Sequence, residues 1–240
     1  MNSEHTHGDG RNIATILAGL RQMGGQLAIV LVAAWLLLPA ATSMAQNPSA
    51  AYADTRSSPD IFALRLVNAA MERLGHDVTY DGSYRRLAYP GGDVPDNIGV
   101  CTDLVVRAYR TLGIDLQQLV HEDMNTAFGR YPKRWGASKP DPNIDHRRVP
   151  NLQVFFARHG EVLAVTSEPD DYHPGDLVTW LLPGNLPHIG IVTDRYSADG
   201  RRPLIVHNIG SGPALDDMIL LYEIDGHYRY SGCQHRSSRD

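Results

Sequence analysis

Apolar residues between positions 59 and 160 recur at the three- and four-residue spacing of amphipathic helices. Glycines and prolines divide this pattern into separate segments. Four helices are predicted, over about 59–75, 101–113, 115–128 and 151–160. Asp96 or Asn97 is the expected cap of the second helix, and Asp115 the cap of the third.

After residue 170 the pattern changes to short runs rich in β-branched and aromatic residues, separated by Gly, Pro, Asp and Asn. Strands are predicted over 177–182, 189–192, 204–207, 220–224 and 227–230, and Gly210 to Pro213 is expected to be a turn. Helices first and an antiparallel sheet second indicate an α+β fold, with N-terminal helices packed on a C-terminal sheet. Two long loops, 80–97 and 131–150, precede the sheet.

The N-terminus has the pattern of a secretory signal peptide. An uninterrupted apolar run, Leu27 to Leu38, follows Arg11 and Arg21 and precedes small residues at the expected cleavage site, Ala45–Gln46. Residues 1–45 are therefore predicted to be a signal peptide, 46–58 a linker, 59–231 one domain and 232–240 a flexible tail. Export to the periplasm or the medium follows, without stable membrane insertion after cleavage; an uncleaved anchor is the alternative.

Composition narrows the classes of function. A net charge of -5 with interspersed signs argues against nucleic-acid binding. The histidines and cysteines lack the spacing of a metal site, so neither a metal nor another cofactor is predicted. The only two cysteines, Cys101 and Cys233, leave a disulfide between them as one structural alternative.

Cys101 is the leading candidate nucleophile because it stands at the predicted start of a helix. Unpaired N–H groups and the helix dipole favour a thiolate at that position. Burial as a small hydrophobic residue is the competing explanation. Asp103 opposes thiolate formation unless its carboxylate turns away or pairs with Arg107, one turn further along.

Two histidines at strand ends supply a candidate base. Asp199-Gly200 predicts a hairpin, and reflection through its turn places His188 opposite His207 or Asn208, within about two residues. A cross-strand partner of this kind orients an imidazole and fixes its tautomer.

The long loops contribute candidate substrate contacts. Tyr84 lies in the loop before the nucleophile, where tyrosines can shape a pocket. Arg147 and Arg148 are able to bind a carboxylate through their guanidinium groups, although a solvated charge cluster explains them equally well.

Several motifs, in order, resemble the NlpC-type cell-wall peptidases, which are papain-like. They are Gly99-Val-Cys101, His173-Pro-Gly-Asp-Leu-Val178, Pro187-His-Ile-Gly-Ile-Val192 and Ile205-Val-His-Asn208. Over about 61–230 the chain also resembles an exported bacterial family known as domain of unknown function 1287. His121-Glu-Asp-Met124, Pro140-Asp-Pro-Asn-Ile-Asp-His-Arg-Arg148 and Gly226-His-Tyr-Arg-Tyr230 carry that resemblance.

The NlpC resemblance implies roles for individual residues. Cys101 would be the nucleophile, His188 the base and His207 the orienting third member, with Asn208 as the alternative, and the Cys101 N–H would contribute to an oxyanion hole. The segment Gln117 to Pro150 has no counterpart in the minimal NlpC domain.

Together these observations predict an exported thiol hydrolase acting on amide bonds, with peptidoglycan stem peptides as the expected substrate. A non-catalytic envelope protein that binds peptides or wall fragments is the alternative. The two differ in thiol chemistry, because a histidine-paired Cys101 should alkylate rapidly below neutral pH, whereas a structural cysteine should not react before unfolding.

Overall fold

The computed structural model describes residues 60–232. The predicted signal peptide, the linker and Cys233 lie outside this range. The described residues belong to one compact unit. None of their helices is both long and apolar enough to cross a membrane.

In the part of the chain that the structure describes, four α-helices precede the main sheet, close to the predicted ranges: α1 (Ile61–Glu72), α2 (Cys101–Thr111), α3 (Leu116–Ala127) and α4 (Val149–His159). Asp60 caps α1 and Asp115 caps α3, each through a side-chain oxygen. The predicted cap of α2 was wrong, because Val100 holds that position and its N–H donates to the Asp103 carboxylate at 2.7 Å. The Asp103 carboxylate, three residues into the helix, thus supplies only the half of a capping box that satisfies the N–H of the cap residue.

Within residues 60–232, eight strands form two sheets. The short strands β1 (Thr79–Tyr80) and β2 (Ile98–Gly99) pair in parallel. The main sheet is antiparallel, in the order β3-β8-β4-β5-β6-β7. Its strands are β3 (Glu161–Val162), β4 (Leu177–Leu182), β5 (Leu186–Tyr196), β6 (Pro203–Asn208), β7 (Pro213–Asp216) and β8 (Glu223–Arg229).

This architecture confirms the predicted α+β fold but differs from the prediction in the positions of its strands. One strand, β8, replaces the two predicted over 220–230, and β7 begins inside the predicted turn. Strand β7 is only four residues long and two of its residues are Pro213 and Asp216, both of which are rare in strands. Pairing with β6 stabilises it despite that composition.

The two faces of the main sheet contribute to separate hydrophobic clusters. Ile189, Ile191 and Val206 pack with the helices, in the cluster that includes Cys101. Val192 and Ile205 pack with Trp180 in the second cluster. Because side chains alternate along a strand, His188 and His207 extend on the Trp180 side, whereas the backbone of Ile189 adjoins the helix layer.

Candidate active site

Cys101 is the first residue of α2 and carries a free thiol that is only 3% exposed. The Tyr80 O–H points to its sulfur at 3.9 Å. The backbone N–H groups of Ile189 and Thr102 also act on the sulfur, and each lowers its pKa. The thiol therefore lies between the start of α2, strand β1 and the beginning of the β5–β6 ladder.

The electrostatics of this position favour the neutral thiol. Desolvation raises the pKa of Cys101 to about 11, the Asp103 charge adds to the increase, and hydrogen bonds from Ile189, Tyr80 and Thr102 reduce it. Burial thus outweighs the helix N-terminus. The resting thiolate expected from the sequence is opposed by these shifts.

His188 and His207 are joined by a hydrogen bond of 2.9 Å between Nε2 of His188 and Nδ1 of His207. Their backbones are not directly opposite, because the β5–β6 register pairs His207 with Gly190. The residues are therefore diagonal neighbours on the same face, and the register differs by two positions from a direct His188–His207 pair and by one from a His188–Asn208 pair.

Asp216 extends this pair into a chain of three side chains. Its Oδ2 atom lies 2.9 Å from Nε2 of His207. Sequence reasoning missed Asp216 because no strand was predicted between residues 207 and 220. A second hairpin reflection, about residues 210 and 211, pairs Asn208 with Pro213 and brings Asp216 near His207, as the structure shows.

The chain of three also fixes the tautomers at neutral pH. An ionised carboxylate only accepts hydrogen bonds, so Nε2 of His207 carries its proton and Nδ1 is an acceptor. His188 must then donate through Nε2, and its Nδ1 has the lone pair. The nitrogen of His188 that is not bonded to His207 is therefore a base.

Burial keeps both imidazoles neutral. Desolvation, followed by the charge of His207, lowers the pKa of His188 to about 3. The pKa of His207 is also lowered by desolvation, and Asp216 partly offsets this effect. The Asp216 side chain is 55% exposed, so water screens its contribution.

Asn208 does not have the position of a third member of the triad, the alternative role predicted for it. It is buried, and its side-chain amide donates to the Gly99 carbonyl at 3.4 Å, next to the start of α2. The structure therefore brings His207, and not Asn208, to His188. The Asn208 amide connects β6 to β2.

The structure shows no hydrogen bond between the Cys101 sulfur and His188 among the residues it describes. What it does bring together is the sulfur and the N–H of Ile189, the next residue along β5. The His188 side chain, however, extends on the Trp180 side of the sheet, whereas Cys101 packs in the helix-side cluster. Proton transfer therefore requires a local rearrangement that brings the imidazole and the sulfur into direct contact.

Asp103 pairs with Arg147 and not with Arg107. Nε and Nη2 of Arg147 donate to the two carboxylate oxygens at 2.8 and 2.9 Å. Arg107 instead binds Asp93. Because the Arg147 guanidinium is buried and occupied by Asp103, its placement does not fit the predicted substrate contact.

Tyr84 and Arg148 lie at the surface between the two long loops. Tyr84 is 56% exposed, and its hydroxyl donates a hydrogen bond to the Asp141 carboxylate at 3.1 Å. The Arg148 guanidinium lies 4.6 Å from the centre of the exposed Trp135 ring. Their predicted contact with substrate stays a prediction.

Two surface cavities lie away from the thiol. One of about 180 Å³ is lined by α1 and β8 residues such as Phe62 and Arg229. The other, about 190 Å³, lies between α3 and α4 and includes Asp123 and His159. Neither of these two cavities is lined by Cys101, His188 or His207. Because the Cys101 residue is only 3% exposed, substrate access to its thiol requires local opening.

Comparisons with known proteins give a family and one curated relative. A family model described as "Domain of unknown function (DUF1287)" matches residues 67–230. "Uncharacterized protein YijF" of Escherichia coli (strain K12) is 47% identical over 167 residues, which are 70% of this chain and 81% of the relative.

Among solved structures, "Structure of NlpC1 from Trichomonas vaginalis" matches with a TM-score of 0.41 and 17% sequence identity. The match covers 73% of this chain and 46% of NlpC1, so the chain spans less than half of that protein.

Proposed function

Because this chain belongs to the DUF1287 family, which is defined by sequence and not by an activity, we propose its function from its site: a thiol hydrolase that cleaves amide bonds through an acyl-enzyme. Cys101 is the nucleophile, His188 the base and His207 the orienting residue, with Asp216 as a further partner.

The observation that carries the proposal is the hydrogen-bonded chain His188–His207–Asp216. The direction of these hydrogen bonds leaves Nδ1 of His188 unprotonated, and the backbone N–H of Ile189, the next residue along β5, acts on the Cys101 sulfur and lowers its pKa. A purely structural histidine pair does not require a carboxylate at its far end. The hydrogen bonds from His188 through His207 to Asp216 stabilise the imidazolium that forms when His188 accepts a proton.

The chemistry begins from the neutral pair. Nδ1 of His188 accepts the thiol proton while the sulfur attacks the amide carbonyl carbon, and N–H groups at the start of α2 bind the oxyanion. The tetrahedral intermediate collapses, the C–N bond breaks, and the imidazolium gives its proton to the leaving amine. Water, deprotonated by His188, then hydrolyses the thioester and restores the thiol.

The substrate class rests on the sequence. The predicted signal peptide would place the enzyme outside the cytoplasm, and the motifs around Cys101, His188 and His207 resemble those of cell-wall peptidases. Stem peptides of peptidoglycan supply amide bonds in that compartment. We therefore assign them as the proposed substrate.

A second candidate is a non-catalytic envelope protein that binds peptides or wall fragments. The observation that favours it is the closed thiol, which is 3% exposed and has its pKa raised to about 11. In that case the paired histidines stabilise the hairpins, and the surface between the long loops is the binding region.

Incubation of the protein, without its predicted signal peptide, with purified peptidoglycan distinguishes the two. Fragments are read by mass spectrometry for the wild type, for Cys101→Ala and for His173→Ala, a control at an exposed histidine outside the site. If the protein is a thiol hydrolase, the wild type and the His173→Ala control release peptidoglycan fragments, and Cys101→Ala does not. Folded, reduced wild type that releases no more than Cys101→Ala would contradict the proposal and favour the binding protein.

A further inference from the structure

Arg147 joins three backbone segments around the candidate nucleophile. In addition to Asp103, its guanidinium donates to the carbonyls of Ser83 and Asp81, each at 3.1 Å. Asp81 follows Tyr80, whose hydroxyl points to the Cys101 sulfur. The Arg147 cation therefore fixes the backbone that directly follows β1, next to the residue that contacts the thiol.

Asp103 joins Arg147 to the start of α2. The same oxygen that accepts from Nη2 of Arg147 also accepts from the N–H of Val100, the residue before Cys101. The Asp103 N–H donates back to the Val100 carbonyl at 3.1 Å. One ion pair thus links the start of the nucleophile helix to the strand that carries Tyr80.

The pair is buried on both sides: the side chains of Arg147 and Asp103 are 1% and 3% exposed. A buried carboxylate near a thiol disfavours the thiolate, and the Asp103 charge acts on Cys101 in that sense. An oppositely charged partner in a two-bond arrangement reduces the field of the carboxylate at the thiol. Loss of either partner leaves the other as an uncompensated buried charge.

We propose that Arg147 and Asp103 are a positioning pair for the nucleophile: they hold Tyr80 and the start of α2 together, and Arg147 compensates the Asp103 charge beside Cys101. The inference rests on the proposed function, because it takes Cys101 as the nucleophile. The other titratable group that the structure brings to the sulfur is Tyr80 from β1; on β5, His188 is the residue before Ile189 and hydrogen-bonds His207 of β6. None of these replaces Arg147 as a permanent cation.

Alkylation of the folded protein tests the pair without any substrate. The rate at Cys101 is read by peptide mass spectrometry, separately from Cys233, at a series of pH values below the thiol midpoint. Arg147→Met should slow alkylation about tenfold at each pH, the equivalent of about one pKa unit. Asp103→Asn should accelerate it, because the unpaired cation favours the thiolate. The double variant should restore the wild-type rate, and Arg147→Lys should retain most of it.

Opposite effects of the two single substitutions are the signature of charge, because loosened packing exposes the thiol and accelerates alkylation in both. Equal rates in all folded variants, or acceleration by both single substitutions, overturn the proposal. Where Arg147→Met does not fold, Asp103→Asn must still react faster than the double variant. A wild type that cleaves no peptidoglycan contradicts the proposed function and leaves these rates unaffected, so the two failures are distinguishable.

Discussion

Nε2 of His188 lies 2.9 Å from Nδ1 of His207, although the register of β5 and β6 places Gly190, and not His188, opposite His207. The contact is diagonal, and Asp216 continues it from the next strand. Three adjacent strands thus each contribute one side chain to a single chain of hydrogen bonds. Activity, thiol reactivity and stability should all depend on it.

Removal of the orienting imidazole of His207 should lower kcat/KM strongly while the protein still folds. In His207→Ala, His188 loses its acceptor and its preference for a base at Nδ1, so we expect kcat/KM for peptide release to fall about 100-fold. His207→Asn, which restores a hydrogen-bonding group, should recover part of the loss. Wild-type kcat/KM in folded His207→Ala would remove His207 from the mechanism.

Asp216 should contribute less to catalysis than His207, because its carboxylate is more than half exposed and water can replace its hydrogen bond to His207. We expect Asp216→Ala to reduce kcat/KM about tenfold, about 1.4 kcal/mol in the barrier. Asp217→Ala is the matched control, since the neighbouring carboxylate binds Arg202 instead. A larger loss in the control than in Asp216→Ala would assign the effect to the hairpin and not to His207.

The neutral thiol predicts a specific pH dependence of alkylation. With the pKa of Cys101 raised to about 11, the rate should increase about tenfold per pH unit through neutrality. A resting ion pair with His188 would instead give a plateau below neutral pH. Rates measured with a small alkylating reagent at successive pH values separate these cases, and a plateau would contradict the burial argument.

Buried neutral histidines should make the fold sensitive to acid. The pKa of His188 is lowered to about 3 and that of His146 to about 4, mainly by desolvation, from an ordinary 6.5. Above pH 6.5 the histidines are neutral in both the folded and unfolded states and carry no cost; as pH falls from 6.5 toward 4 and 3 the unfolded chain binds protons that the fold does not, so the fold loses stability. Each histidine should reduce the free energy of unfolding by about 1.4 kcal/mol per pH unit within its window.

Denaturant titrations at several pH values check this expectation. His188→Gln and His146→Gln should each flatten the decline below pH 6.5, whereas the exposed control His173→Gln should not. A decline in His188→Gln as steep as in the wild type would show that His188 is already charged in the fold.

Gly190 should resist substitution because β5 and β6 approach closely there. A Cβ atom at this position would lie 2.5 Å from Cγ2 of Ile205 and 3.1 Å from Cβ of His207. Gly190→Ala should therefore cost about 1–3 kcal/mol of unfolding free energy and disturb the histidine contact. Gly75→Ala is the control, with nothing within 4 Å of the added atom. Equal stability of the two variants would contradict the close approach.

Local patterns in the sequence determined the elements and the identity of the main candidates. Helical spacing and flanking glycines predicted α2 and placed Cys101 at its start, as the structure shows. The Asp199-Gly200 turn brought His188 and His207 together within two residues, because a hairpin register depends mainly on its turn. Both signals are contained in segments shorter than about thirty residues.

Tertiary structure alone decided which groups meet across longer distances and what state they are in. Asp103 pairs with Arg147, 44 residues away, and not with Arg107 one turn along its own helix, because packing of the long loop brings Arg147 to the start of α2. The state of the Cys101 thiol depends on burial, which a local helix signal does not contain. Periodicity and turn chemistry are properties of neighbouring residues, whereas desolvation and ion pairing depend on everything packed around a group.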